Sequence, residues 1–392
     1  MPSSPPYRLA YVVTHPIQYQ APLLKLIAND PEIDLTVVYL SDHSVRAHQD
    51  EGFGVEVKWD TPLLDGYHHS FVRSRMSNKG VSFNNPKVSI ADLWRTLNKS
   101  KWDAVWVHGY ANLGLMSTIL YTRLRGIPLL FRGENNLLCS PSSWKKNLFI
   151  SWLVKTAHGL LSIGSANTEF YLHHGARTDQ IFAVPYAVNN EFFQARSKVQ
   201  APPNDLPQSG KLIFLFASRL LARKHPLTLL YAFAALPDSL REQAALVFIG
   251  NGEQAESLQA EIARLQMQDC VSFLGFKDQG SLASYLGSCD VFVLPSEKEP
   301  FGLIVNEAMN AAKPIITTNE VGAARDLVQH GKNGWIVEAG NQGELSNALK
   351  EAIEQRASLK TMGAQSLSNI SAWDFQADLR GIKQALNALD HH

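Results

Sequence analysis

Residues 297–307 read EKEPFGLIVNE, with Glu299 and Glu307 eight positions apart around an almost wholly apolar stretch. An ionised carboxylate accepts two O–H bonds from a vicinal diol, so such a pair suits carbohydrate hydroxyls. Acidic residues near a helix start also complement the helix dipole, worth about 0.3–1 kcal/mol. On these residues alone the two readings weigh equally. Pro300 and Gly302 exclude a helix interior, whereas LIVNEAMNAA reads as a good helix. The amides of residues 301–304 would then form its N-terminus, carrying partial positive charge suited to hydroxyl or phosphate oxygens.

Two further stretches could meet an anionic ligand. ASRLLARKH (217–225) follows the apolar run LIFLF, and places Arg219 and Lys224 five apart in a loop. Arg grips a diphosphate by a fork and Lys as a point charge. Arg223 beside Lys224 fits a solvated basic loop equally well. FIGNGEQAE (248–256) is G-x-G-x-x-A after an apolar run, with Gly250 and Gly252 able to admit a backbone close to pyrophosphate. It lies mid-domain, and the next strand-like run, VSFLG, ends in Gly275, Phe276 and Lys277 without an acid for a ribose. That argues for a tight turn lining a nucleotide pocket and against a nicotinamide site.

The first half of the chain offers a more polar set. VVTHPIQYQAP (12–22) carries His15, Gln18, Tyr19 and Gln20 where an apolar run ends, VWVHGY holds His108, and PLLFRGEN holds Arg132 and Glu134. A loop this polar at a strand's carboxyl end is expected to face a ligand cleft. SSWKKNLFISWLVKTA (142–157) combines Trp144, Trp152, Lys145, Lys146 and Lys155 with aliphatics at helical spacing. Such a helix fits a membrane interface, or a buried amphipathic helix with a basic outer face, which is the preferred reading.

The elements that must position these residues alternate. LAYVVT, LTVVYL, AVWVHG, PLLFRG and IFAVP are strand-like and separated by longer amphipathic runs, including SWLVKTAHGLLSI. Residues 195–211 break the pattern with three prolines and polar residues, a linker signature. Beyond it the alternation restarts with LIFLFAS, a helix over 226–236, ALVFIG, a helix through Glu261, then VSFLG, DVFVLP, PIITT and GWIVE. Buried-type strands alternating with helices predict parallel sheets covered on both faces. Two doubly wound α/β domains facing a central cleft are expected, with ligands at the carboxyl ends of their strands.

The 392 residues exceed one hydrophobic core, and 45% hydrophobic with 18% charged residues is ordinary for a globular chain. Net charge is zero, which argues against a general nucleic-acid binder. Residues 1–200 carry 20 Lys and Arg against 15 Asp and Glu, and the remainder 16 against 21. Three cysteines without a C-x-x-C pair read as reduced thiols, so a cytoplasmic location is expected. No signal peptide or run of 18 apolar residues is visible.

The ordered set E-P-F-G-L-x-x-x-E-A-M-x-A-x-x-P, V-G-A-A-R-D and H-G-K-N-G-W, preceded by R-L-x-x-x-K, resembles the retaining, GT-B-fold nucleotide-sugar glycosyltransferases of family 4. The resemblance is strong over 212–340 and weaker, though collinear, over the first 195 residues. It implies an acceptor-side domain over 1–195, a linker over 196–210 and a nucleotide-sugar domain over 211–373. It also implies a C-terminal helix near 374–390 that crosses back onto the first domain, anchored by Trp373. By the same resemblance Arg219 and Lys224 hold the donor diphosphate. Glu299 meets the transferred sugar with the amides of Phe301, Gly302 and Leu303, and Glu307 takes the ribose hydroxyls. Gly275 and Phe276 border the base, and Gly250 to Gly252 line the nucleotide pocket.

His15, Gln18, Tyr19, His108 and Arg132 fall on the acceptor side. The position where many relatives carry a histidine holds Glu134 here, expected to position the acceptor or contact the sugar and not to act as base. Tyr186 and Ala187 stand where asparagine and glycine are usual. The expected activity is transfer of a hexose-type sugar from a nucleotide diphosphate, commonly uridine, to a hydroxyl of a glycan, lipid-linked sugar or small metabolite, with retention and peripheral membrane contact as a further option. No Asp-x-Asp occurs, so the two cations are expected to replace a metal, and no cofactor is expected beyond the donor. An epimerase or hydrolase of the same architecture, and a non-catalytic subunit that binds nucleotide sugar, are the alternatives.

Overall fold

The computed structural model describes the chain apart from residues 1–4, 43, 46–47, 51–54, 58–61, 73–87, 140–142, 199–201, 208–209 and 391–392. It divides into two compact units. The first takes residues up to His48, Glu56–Tyr186 and the C-terminal segment from Phe375; the second takes Ala187–Asp374 with Gln49–Val55.

In chain order the first unit contains β1 (Tyr7–Val13), α1 (Ala21–Ala28) and β2 (Ile33–Tyr39). A short pair that straddles the division between the units follows, β3 (His48–Asp50) and β4 (Val55–Val57), then the first unit's β5 (His68–Phe71), α2 (Ile90–Leu97) and β6 (Ala104–His108). The series ends with α3 (Leu113–Arg125), β7 (Leu129–Arg132), α4 (Trp144–Thr156), β8 (Gly159–Ser162), α5 (Ser165–His173) and β9 (Ile181–Ala183). Seven strands form a sheet ordered β5-β2-β1-β6-β7-β8-β9, its pairs all parallel. Strands β6, β7 and β8 are buried at every residue, as two covered faces require. One face carries a core that includes Val12, Val107, Phe131, Leu115, Ile119, Ile150 and Leu153, so α3 and α4 cover it side by side. The other face carries Tyr11, Trp106, Leu23, Ile27, Leu379 and Ile382.

The second unit runs α6 (Asn190–Arg196), β10 (Leu212–Ala217), α7 (Pro226–Ala234), α8 (Asp238–Arg241), β11 (Ala244–Ile249), α9 (Ala255–Arg264) and β12 (Val271–Phe273). It continues with α10 (Gln279–Ser288), β13 (Val291–Leu294), α11 (Leu303–Asn310), β14 (Ile315–Thr318), α12 (Gly322–Leu327), β15 (Gly334–Val337), α13 (Gln342–Glu354) and α14 (Leu359–Ile370). Its parallel sheet is ordered β12-β11-β10-β13-β14-β15, with a core of Phe214, Phe216, Phe248, Val293 and Trp335 on one face and Leu215, Val247 and Phe292 buried on the other. In both sheets the strand order reverses beside the unit's first strand, between β1 and β6 and between β10 and β13. Ligands of doubly wound sheets bind outside the carboxyl ends at such a point.

Three expectations are corrected. The division falls at Tyr186, not near 195, because α6 packs on α10 and α11, and Asp205 binds Lys277 (3.0 Å) and the Tyr285 hydroxyl (2.7 Å) inside the second unit. The run SWLVKTAHGLLSI is not one helix: α4 stops at Thr156, and the remainder enters the sheet as β8. Trp373 anchors the second unit, stacked on Phe301 with centroids 5.6 Å apart, one residue short of the unit's end.

Helix α15 (Phe375–Leu389) then packs on the first sheet beside α1, β8 and β9. Lys383 fastens it to Asp30 at 3.2 Å and Glu32 at 2.8 Å.

Candidate functional site

Two clusters of polar side chains lie at the two reversal points, one in each unit. In the second unit the loop after β10 tightens into a helical turn over Ala222–Lys224, and His225 takes φ +53° before Pro226 opens α7. This turn aims Lys224 inward, 7% exposed, where its ammonium pairs with the Glu299 carboxylate from the loop after β13. Arg223 Nη1 reaches the same Glu299 oxygen at 3.2 Å. Burial pushes the Lys224 ammonium below its usual range; Glu299 pulls it back, and Arg223 and Arg219 push it down again. Arg219 therefore belongs to one cationic cluster with Lys224 and Arg223. The sequence had left Arg223 as a mark of a solvated loop, yet it is a second cation on the carboxylate.

The Glu299 loop is clamped by backbone. Glu299 N donates to Glu320 O (3.1 Å), Gly322 N to Glu299 O (3.1 Å) and Ala323 N to Phe301 O (2.8 Å). A Cβ at Gly322 would sit 2.2 Å from Pro300 O, so only glycine permits this approach. The V-G-A stretch therefore shapes the E-P-F-G loop, a job its spacing did not announce. Gly302, at φ +95°, caps α11, Leu303 opens the helix, and Phe301 is buried.

Glu307 lies one turn into α11, and burial raises its carboxyl to about 8. Part of the residue's surface remains accessible. The loops after β10 and β11 interlock: Leu220 N donates to Asn251 O (2.9 Å), and Gln254 N to Leu220 O (2.9 Å). A Cβ on Gly250 would meet Ser218 O at 1.9 Å, and one on Gly252 would meet Leu220 O at 2.7 Å. Their glycine requirement is thus this loop-on-loop contact. Gly275 accepts the Gly250 amide at 2.8 Å, and Phe276 beside it is half-buried.

In the first unit His108 ends β6 and Glu134 follows β7. His108 Nε2 lies 3.2 Å from Glu134 Oε1, and the Tyr186 hydroxyl donates to the same oxygen. On its other side His108 Nδ1 meets Tyr11 Oη at 2.8 Å and Gln20 Nε2 at 3.0 Å. An amide donor on Nδ1 makes that nitrogen the acceptor, so Nε2 carries the proton given to Glu134. Tyr19 bonds Tyr186 hydroxyl to hydroxyl and meets it edge to face. Burial pushes the Glu134 carboxyl up, but His108, Tyr186 and Arg132 outweigh it and hold the group at about 2. The side chain is 39% accessible, so solvent screens part of that effect.

Among the acceptor-side expectations, Tyr19 and His108 join this network and Gln18 is buried in the same loop, while His15 bonds its neighbour Thr14 at 2.9 Å. Arg132 is corrected. It is 2% exposed and lies inside the unit, its guanidinium 3.7 Å from Asp378 on α15 and 5.2 Å over the Tyr186 ring. Gln20 joins it from the polar loop expected to face the cleft, whereas Tyr11, Tyr186 and Asp378, which complete the network, were not among the expected site residues. Tyr11 looks like core from its alternation, and Asp378 like a surface acid. Among the described residues no group of three or more His, Cys, Asp or Glu could hold a metal ion.

Two parallel-sheet α/β units of reversed strand order are the GT-B architecture. Residues 200–367, most of the second unit, match the family described as glycosyl transferases group 1. The D-inositol 3-phosphate glycosyltransferase of Pseudarthrobacter chlorophenolicus is 27% identical over 302 residues, 73% of this chain and 70% of that protein. The enzyme of the same name from Streptomyces bingchenggensis is 30% identical over 223 residues, 53% of this chain and 48% of that one, so the chain spans about half its length. The Anabaena HepE structure in complex with UDP and glucose superposes with a TM-score of 0.70 at 18% identity, covering 97% of this chain and 99% of that one. Family, relatives and fold together support a glycosyltransferase.

Proposed function

We propose that the protein transfers a sugar from a uridine diphosphate donor to a hydroxyl acceptor, with retention of configuration and without a metal ion. The observation that carries this reading is the meeting of Arg223 and Lys224 with Glu299 at the carboxyl-end reversal point of the second sheet. Breaking an anomeric C–O bond leaves an oxocarbenium-like sugar and a diphosphate, so stabilising the departing negative charge is the main requirement. Lys224, Arg219 and Arg223 supply that charge. An arriving diphosphate shares the cations with Glu299, which turns to the sugar hydroxyls beside the amides of Phe301, Gly302 and Leu303. Glu307 accepts from the ribose hydroxyls; Gly275 and Phe276 border the base, beside Gly250 to Gly252. Glu134, a standing carboxylate, serves the acceptor or sugar hydroxyls. Retention rests on the family resemblance of the E-P-F-G-L-x-x-x-E stretch.

A thermal-shift screen of nucleotide sugars tests donor binding, because a ligand that binds only the folded state raises apparent stability by mass action. A shift with uridine diphosphate sugars is expected, and no shift with any nucleotide sugar overturns the reading. With the donor so found, transfer should persist in EDTA and the product should keep the donor's anomeric configuration. Loss of transfer in EDTA, or an inverted product, removes the corresponding clause. Sugar release or epimerisation without acceptor would make it a hydrolase or epimerase instead.

A further inference from the structure

Helix α4 buries an apolar face and exposes Lys145 and Lys155, as expected, but it also exposes large apolar side chains. Its inner face holds Ile150, Leu153 and Val154 in the core, and on its outer side the lysines are interleaved with apolar residues. Trp144, Leu148 and Trp152 follow at i, i+4 and i+8, and are 72%, 65% and 40% exposed. Helix α3, on the same face of the same sheet, does likewise with Leu113, Leu120 and Leu124 at i, i+7 and i+11, up to 65% exposed. Large apolar side chains exposed beside cations, on helices whose inner faces are already buried in the core, fit a lipid interface.

Charge selects the occupant. Together α3 and α4 carry Arg123, Arg125, Lys145, Lys146 and Lys155 and no Asp or Glu. Lys145 lies over the Trp144 ring with its ammonium 5.6 Å from the centroid. Cations on long stems beside tryptophan and leucine match the headgroup boundary of an anionic bilayer, where the rings sit at the interface and the ammonium groups snorkel to phosphate. A second copy of this chain laid face to face would oppose these five cations with the same five, so self-association is disfavoured. No described helix is long and apolar enough to cross a membrane, so the contact lies on the surface.

We infer that the outer face of α3 and α4 docks the first unit onto an anionic lipid surface. The inference is independent of the donor reading. It predicts that the full chain sediments with mixed phosphatidylcholine–phosphatidylglycerol vesicles and stays in the supernatant with phosphatidylcholine alone. Lys145→Gln with Lys146→Gln should lower the partition by roughly 30-fold, about fivefold per cation, and high salt should act in the same direction. Trp144→Ser with Leu148→Ser should abolish binding while leaving the unfolding midpoint unchanged, since both side chains are exposed. Failure to bind mixed vesicles overturns the inference, as does binding unaffected by the lysine pair. Sedimentation equilibrium showing a dimer that Trp144→Ser dissociates would assign the face to a second copy.

Discussion

Glu134 and Glu307 are carboxyls set among protein atoms, one in each unit, and their protonation is pushed in opposite directions. Glu134 receives His108 and Tyr186 on one oxygen with Arg132 close behind, and is held at about 2. Glu307 is moved by burial alone, to about 8. The first unit completes its carboxylate with its own side chains. The second leaves its carboxyl to burial alone. A hydroxyl-bearing ligand at Glu307 would supply the donors that the chain withholds and shift the group back toward its ionised form.

The sharpest test of the contrast is Lys224→Ala. If the cationic cluster stabilises the leaving diphosphate, transfer should fall by about 10²–10³-fold, with the circular dichroism spectrum retained. Transfer within a few-fold of the parent would remove Lys224 from that role. On the first unit the largest effect should come from Asp378→Asn, which strands the buried Arg132 charge. Urea denaturation should show a loss of roughly 3 kcal/mol, and a loss below about 1 kcal/mol would mean the pair is not a structural support.

The two carboxyls should also give opposite pH slopes. A raised folded pKa favours the protonated folded state, so the Glu307 contribution is present below about 4.5 and is lost as pH rises through about 8. Glu307→Gln should therefore be more stable than the parent above pH 8 and equal to it near 4.5. It should also bind uridine diphosphate more weakly if the ribose assignment holds. A parallel pair of stability–pH curves would contradict the shift. Glu134 has the depressed value, so its contribution is present above about 4.5 and fades as pH falls toward 2. The smallest effect is expected from Tyr186→Phe, which deletes one donor to Glu134. A cost of about 1 kcal/mol in unfolding free energy, with the nucleotide thermal shift intact, would confirm that the two clusters act separately.

How far each cluster was legible in the sequence follows from its spacing along the chain. Arg219, Lys224, Glu299 and Glu307 sit in two short stretches where loops leave apolar strands, and their chemistry shows in residue type and local order. Tyr11, Gln20, His108, Glu134, Tyr186 and Asp378 come from separate elements. No local pattern ties a strand tyrosine or a helix aspartate to a glutamate that side-chain hydrogen bonds alone bring near. The glycines were legible as turns, but Gly250, Gly252 and Gly322 answer to carbonyls of other loops, which spacing does not record. β8 was missed because a short apolar run after a helix has no period of its own.

The chain's own pattern determined the alternation of strands and helices, hence two parallel doubly wound sheets, and it determined the residue types at the carboxyl ends. Those depend on local hydrophobic periodicity and on side-chain chemistry, which a linear string carries. Only the tertiary structure decided that the units divide at Tyr186, that Asp378 on α15 meets Arg132, and that α3 and α4 expose large apolar side chains among their cations. These are long-range contacts, set by which surfaces find partners when the chain packs.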